Sequence, residues 1–159
     1  MDEKQTGPLE EQFRTDVNWF FCVAALSAFN SVGWFFNVDW IFAIGLGISQ
    51  LFHGIMLGMT TGASADSQMV GQVVSLVLGL VAAGFFALLG VFSRKEIAPV
   101  YVLGMVLYGL DGVLLLLFQD WLGVGVHVLA LLYLARGYQT IRKLKEIGSA
   151  MPSPELVNV

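Results

Sequence analysis

Asn30, Gln50, His53, Asp111 and His127 are polar or ionisable side chains set inside strongly apolar sequence. A carboxyl group near imidazoles can bind a proton, an ion or a small polar ligand, and two imidazoles can ligate a haem iron axially. Such groups are costly in hydrocarbon, so they face a partner or a water-filled cavity. Helical spacing puts Gln50, His53 and Gly54 on one stripe, and Gly104, Tyr108 and Asp111 on another. Gly123 lies one turn from His127. His53, Asp111, His127, Gln50, Tyr108 and Asn30 are therefore expected to share one polar pocket. Three readings of that pocket stand side by side. The groups bond across helices and set the packing; or they bind a small polar ligand, a proton or an ion; or His53 and His127 hold haem or a metal with Asp111 behind them. Two histidines are too few for a closed zinc site. No Gly-x-Ser-x-Gly, His-Glu-x-x-His or paired-carboxylate motif is present, so catalysis has no motif behind it.

The elements that must carry these residues are apolar runs over 17–36, 40–60, 69–92, 100–118 and 121–138. About twenty residues at ~1.5 Å each cross a ~30 Å hydrocarbon core, and a helix satisfies its own backbone there. Hydrophobic residues make up 57% of the chain and charged ones 13%. Soluble domains average about 25% charged residues, so this deficit points to lipid. The expected fold is all-α, a transmembrane bundle of five spans with short loops. Residues 1–16 read as an acidic N-terminal segment, including a short surface helix over Pro8–Asp16. Residues 139–159 read as a basic helical extension with a disordered tail. The acidic start does not suit a cleavable signal peptide. A net charge of −4 without a basic stripe excludes nucleic acid as a partner. The expected partner is the lipid bilayer, with a homo-oligomer or a larger membrane complex beyond it.

Side-chain caps are expected from Thr15 or Asp16 on the first span, Asp39 on the second, Asp66 or Ser67 on the third and Asp120 on the fifth. Ser93 and Glu96 have capping-box spacing, in competition with Pro99. Trp19, Trp34, Trp40, Trp121, Tyr101 and Tyr138 fall near span ends, as interfacial rings do. Gly47, Gly54 and Gly58 on the second run and Gly79, Ala83 and Ala87 on the third suit close packing of those two helices. Cys22, the only cysteine, is expected to be a small buried side chain. Asn30 and Asp39-Trp40 recur with the same spacing as Asp111 and Asp120-Trp121, a pattern that fits an inverted repeat or two similar hairpin caps.

Basic residues set the expected orientation. Arg94 and Lys95 lie in one loop, and Arg136, Arg142, Lys143 and Lys145 cluster at and beyond the end of the fifth run. Two spans separate these groups, so they share the cytoplasmic side. Five spans then place the N-terminus outside, against the opinion of Lys4 and Arg14. A re-entrant turn near 37–40 would lower the count to four and bring the N-terminus to the other side. With five spans, His53, Asp111 and His127 sit at one level, ~10 Å below the outer face.

The segment Gly-Met-Val-Leu-Tyr-Gly-Leu-Asp-Gly at 104–112, followed by Gln-Asp-Trp-Leu-Gly-Val-Gly-Val-His at 119–127, resembles a group of small bacterial polytopic membrane proteins described only as hypothetical. Asn30-Ser31 and Gly45-Leu46-Gly47-Ile48 resemble the N-terminal part of the same group. The resemblance implies a bacterial cytoplasmic membrane and no particular substrate. The expected role is a small multi-pass accessory or structural component without catalytic activity. A transporter or channel component and a haem- or metal-binding protein are the alternatives.

Overall fold

The computed structural model describes residues 3–38 and 45–150. It is all-α, with α1 (Glu3–Phe35), α2 (Gly47–Thr60), α3 (Ala65–Ser93), α4 (Ala98–Leu117) and α5 (Trp121–Ala150). Four of these, α1, α3, α4 and α5, are long and apolar enough to cross a membrane. Helix α2 has only 14 residues. At ~1.5 Å per residue it is ~21 Å long, too short for a ~30 Å core.

The turns show how the apolar helices are stopped. Asn37, Glu96 and Gln119, just past α1, α3 and α4, take left-handed φ values of 54°, 58° and 59°. That conformation turns the chain out of the helix and lets the following amides bond back to late carbonyls, as Val38 N–H does to Gly33 O at 2.9 Å and Asp120 N–H to Leu115 O at 3.0 Å. At the start of α3 the cap is Ser64, whose Oγ accepts the Ser67 amide at 3.4 Å, in place of the expected Asp66 or Ser67. Pro99 lies in the first turn of α4 and no side chain caps it, so proline prevails over the Ser93–Glu96 box. Asp120 caps α5 as expected, its Oδ1 accepting Gly123 N–H at 2.9 Å. The expected cap Asp39, and Trp40 with it, lie outside the described residues, as does the tail from 151.

Helix directions follow from which residues meet. Leu46 N–H donates to Ser27 Oγ at 2.8 Å. Further along, the His53 ring stacks on Trp34 with centroids 4.9 Å apart. Asn37 lines a cleft together with Met56 and Thr60. Moving from 46 to 60 on α2 thus matches moving from 27 to 37 on α1, so the two helices run in the same direction. The chain leaves α1 at one end of the bundle, and by Leu46 it is back inside, roughly 14 Å deeper by helical rise. The start of α2 is buried there: Leu46, Gly47 and Ser49 are all enclosed. A continuous helix over 40–60 is therefore corrected: the helix begins at Gly47, and residues 45 and 46 are not helical.

Helix α3 runs antiparallel to α1. A Cβ on Gly79 would collide with Ser31, and one on Gly90 would lie 2.9 Å from the Phe21 ring. Gly79 and Gly90 of α3 thus pack on α1, and a Cβ on Gly71 would lie 2.9 Å from Thr60 of α2. Ala83 is buried and Ala87 half-buried along the same helix. Gly54 and Gly58 do not take part: a Cβ on either meets nothing within 4 Å, so their stripe faces outward from the bundle. Helices α2 and α3 do pack together as expected, but at Gly71 and Gly79 and not through the Gly54–Gly58 stripe.

The two ends of the described chain pack together. Gln12 Nε2 donates to Thr140 Oγ1 at 3.0 Å. Arg136 forks onto Asp16, Nε at 3.0 Å from Oδ2 and Nη2 at 2.5 Å from Oδ1. Asp16 is fully buried within an unbroken α1, so it is an ion-pair partner and not the cap of a span. An acidic surface helix separate from the first span is likewise replaced by one helix from Glu3 to Phe35. Arg136→Ala is expected to lower the unfolding midpoint in mixed micelles more than Asp16→Asn. The first leaves a carboxylate buried without its cation, whereas the second leaves a guanidinium that already reaches solvent. The reverse ranking would show that this pair does not tie α1 to α5.

The core holds Phe13, Phe20, Phe86, Tyr101, Tyr108 and Leu134. Tyr101 stands edge-on to Phe20 at 5.3 Å and is completely enclosed, so it is a core ring and not an interfacial one. Cys22 faces outward, which corrects its expected burial. Large apolar side chains crowd the exterior of the long helices, Val81 at 63% and Leu110 at 59% exposed among them. Apolar outside and polar inside is the arrangement that lipid favours.

Candidate functional site

The first amides of a helix have no partner within it, and a buried helix start must find partners elsewhere. At α2 each one is found. Leu46 N–H goes to Ser27 Oγ on α1. Gly47 N–H goes to Asp111 Oδ2 at 2.7 Å, and Ile48 N–H to Asp111 Oδ1 at 2.8 Å. Ser49 N–H bonds back to Leu46 O at 3.1 Å. One carboxyl group from α4 thus caps α2 with both oxygens. Gly47 permits this approach, because a Cβ there would lie 2.8 Å from Leu115 and 3.2 Å from the Asp111 carbonyl oxygen. The partial positive charge of a helix N-terminus favours a carboxylate at this position.

His127 on α5 completes the centre. Its Nε2 lies 2.9 Å from Asp111 Oδ2 and its Nδ1 lies 2.9 Å from Gly123 O. The ring stacks on Tyr108 at 4.2 Å and 14°. Asp111 is 6% and His127 1% exposed. Gly123 O can only accept, so Nδ1 carries a hydrogen. Nε2 faces an oxygen that already accepts from Gly47, so one further proton lies between Nε2 and Oδ2. Among the described residues, Tyr108 Oη and Ser49 Oγ are buried without a hydrogen-bond partner.

The residues expected in one pocket are divided between two places. Asp111, His127 and Tyr108 form the buried centre. His53 stands apart, stacked on Trp34, and lines a cleft of about 350 Å³ with Asn37, Thr60, Gln68 and Gln72. Asn30 is buried on α1, one turn from Ser27, and Gln50 is half-buried on α2. The paired use of His53 and His127 as haem ligands does not fit this arrangement, since both nitrogens of His127 are engaged. No group of three or more His, Cys, Asp or Glu is placed to hold a metal among the described residues. Sequence reasoning missed Ser27 and the start of α2. The available signal was Gly45-Leu46-Gly47, two glycines interrupting an apolar run. No protein-family model, curated protein or solved structure matches this chain.

Proposed function

We propose that this chain is a four-crossing integral membrane protein, with α2 as a re-entrant half-helix that enters and leaves on one side. In this reading it serves as a non-catalytic accessory or structural component, and Asp111 with His127 is the clamp that holds the half-helix in place. The observation that carries the reading is the complete pairing of the buried α2 N-terminus within the protein. The Asp111–His127 pair spends its oxygens and ring nitrogens inside the protein, which sets packing, while Tyr108 Oη and Ser49 Oγ beside it keep no partner among the described residues. The outward Gly54–Gly58 stripe supports association with a further helix, in a homo-oligomer or a larger complex.

Four crossings also account for the basic residues. Lys4 and Arg14 on α1, Arg94 and Lys95 after α3, and Arg136, Arg142, Lys143 and Lys145 on α5 are all eight Lys and Arg of the chain, and they share one end of the bundle. By the positive-inside rule that end is cytoplasmic, so both termini are too. The proposed location, a bacterial cytoplasmic membrane, rests on the resemblance read from the sequence alone. Reporter fusions at the N-terminus and after residue 150 are expected to report the cytoplasm in both cases; opposite compartments would refute the re-entrant topology.

A second reading, a transporter or channel component, is favoured by the half-helix itself. Broken helices whose N-termini point at an intramembrane site recur in transporters. A Ser49→Cys variant in a Cys22→Ala background separates the readings. The clamp predicts no labelling by a water-soluble maleimide while a loop cysteine reacts. Labelling of position 49 would favour an aqueous path from the His53 cleft to Asp111.

A further inference from the structure

A second cleft, of about 420 Å³, opens at the basic end of the bundle. It is lined by Glu10, Phe13, Arg14 and Asn18 of α1 and by Arg94 and Glu96 of the α3–α4 turn. Phe13 is buried and forms an apolar floor. Arg94 is held in place, its Nη2 donating to Asn18 Oδ1 at 2.7 Å while its guanidinium carbon lies 4.3 Å over the Phe21 ring. Among the described residues, none of the four charged side chains here forms an ion pair with another. Two guanidinium and two carboxylate groups therefore surround one space with their charges unspent.

A guest for such a space carries both signs. The guanidinium fork matches phosphate oxygens, and its charge-assisted bonds are about twice as strong as neutral ones. Carboxylates accept from an ammonium that still has N–H groups. An anion alone would meet two carboxylates, and a quaternary ammonium has no hydrogen to donate. The level is also suitable. Asn18 and Arg94 lie where the apolar stretch of α1 and the end of α3 begin to give way to charge, the position of headgroups. We infer that this cleft binds a phosphate–ammonium zwitterion, the chemistry of an ethanolamine phospholipid headgroup or of a free glycerophosphoethanolamine. The lipid source rests on the membrane reading above. A failure of that reading appears in the reporter fusions, whereas a failure of this one appears in ligand preference.

The test is native mass spectrometry of the full chain from mild detergent with equimolar ethanolamine, choline and glycerol phospholipids. The ethanolamine lipid is expected to be retained about tenfold over the other two, the value of roughly one charge-assisted contact. Arg14→Gln with Arg94→Gln is expected to abolish that preference. Glu10→Gln with Glu96→Gln is expected to redirect it to the anionic glycerol lipid, because the guanidinium groups remain. Displacement of the lipid by soluble glycerophosphoethanolamine assigns the site to the free zwitterion, and retention in its presence assigns it to the lipid. Equal retention of the three lipids by the unaltered chain would overturn the inference. So would an ethanolamine preference that survives in the glutamate double variant, a result that does not require the arginine variant to fold.

Discussion

Asp111→Ala is expected to destabilise the protein by about 3 kcal/mol, the scale of leaving several buried donors without their acceptor. The loss has two parts. Gly47 and Ile48 amides are left buried without acceptors, and His127 keeps a ring with no carboxylate beside it. Asp111→Asn falls between, because an amide retains one oxygen for Ile48 but directs a donor at another donor. Reversible unfolding in mixed micelles measures all three proteins. A double-mutant cycle with His127→Ala isolates the pair: the second substitution should cost less once Asp111 is gone. Additive losses would mean that Asp111 and His127 act independently, and the clamp would be lost as an explanation. The same variant bears on function, because a clamp predicts phenotypes that follow abundance.

Gly79→Leu is expected to cost about 3 kcal/mol or to prevent accumulation, at the upper end of overpacking effects. At Gly79 three helices meet. Even a Cβ would collide with Ser31 of α1 and lie 3.7 Å from Ser49 Oγ of α2. Ser31 Oγ cannot simply turn away, since it donates to Ser27 O at 3.0 Å, and Ser27 Oγ in turn caps Leu46. The wedge would thus act on the half-helix as well as on the helix pair. Gly84→Leu on the same helix is the control, because a Cβ there meets nothing within 4 Å. Equal stability of the two variants would show that α1, α2 and α3 do not meet as described.

The long helices were legible because hydrocarbon leaves few choices. Uninterrupted apolar runs are readable one residue at a time: α3 and α4 begin and end within a few residues of the expected bounds, and α5 begins at Trp121 as expected and continues through the basic extension to Ala150. The run at 40–60 misled because hydropathy is blind to depth. Gly45 and Gly47 mark a break in the run, but the same pair is compatible with a continuous apolar helix, so the signal does not say that the chain turns back there. The cluster of Asp111, His127 and Tyr108 was legible from helical spacing. Its division from His53 was not, because parallel and antiparallel placements of α2 give the same stripe on that helix and different neighbours across it.

Composition and run length alone determined that the chain is helical, that its exterior suits lipid, and that a carboxyl and an imidazole lie within that apolar frame. These are sums over local sequence, and no partner is needed to evaluate them. Only the tertiary structure decided that α2 runs alongside α1 in the same sense, that Asp111 spends both oxygens on its start, and that the two ends of the chain meet at Asp16 and Arg136. The physical reason is that a buried amide can be satisfied by any acceptor that reaches it. Which one does so depends on where distant helices come to rest.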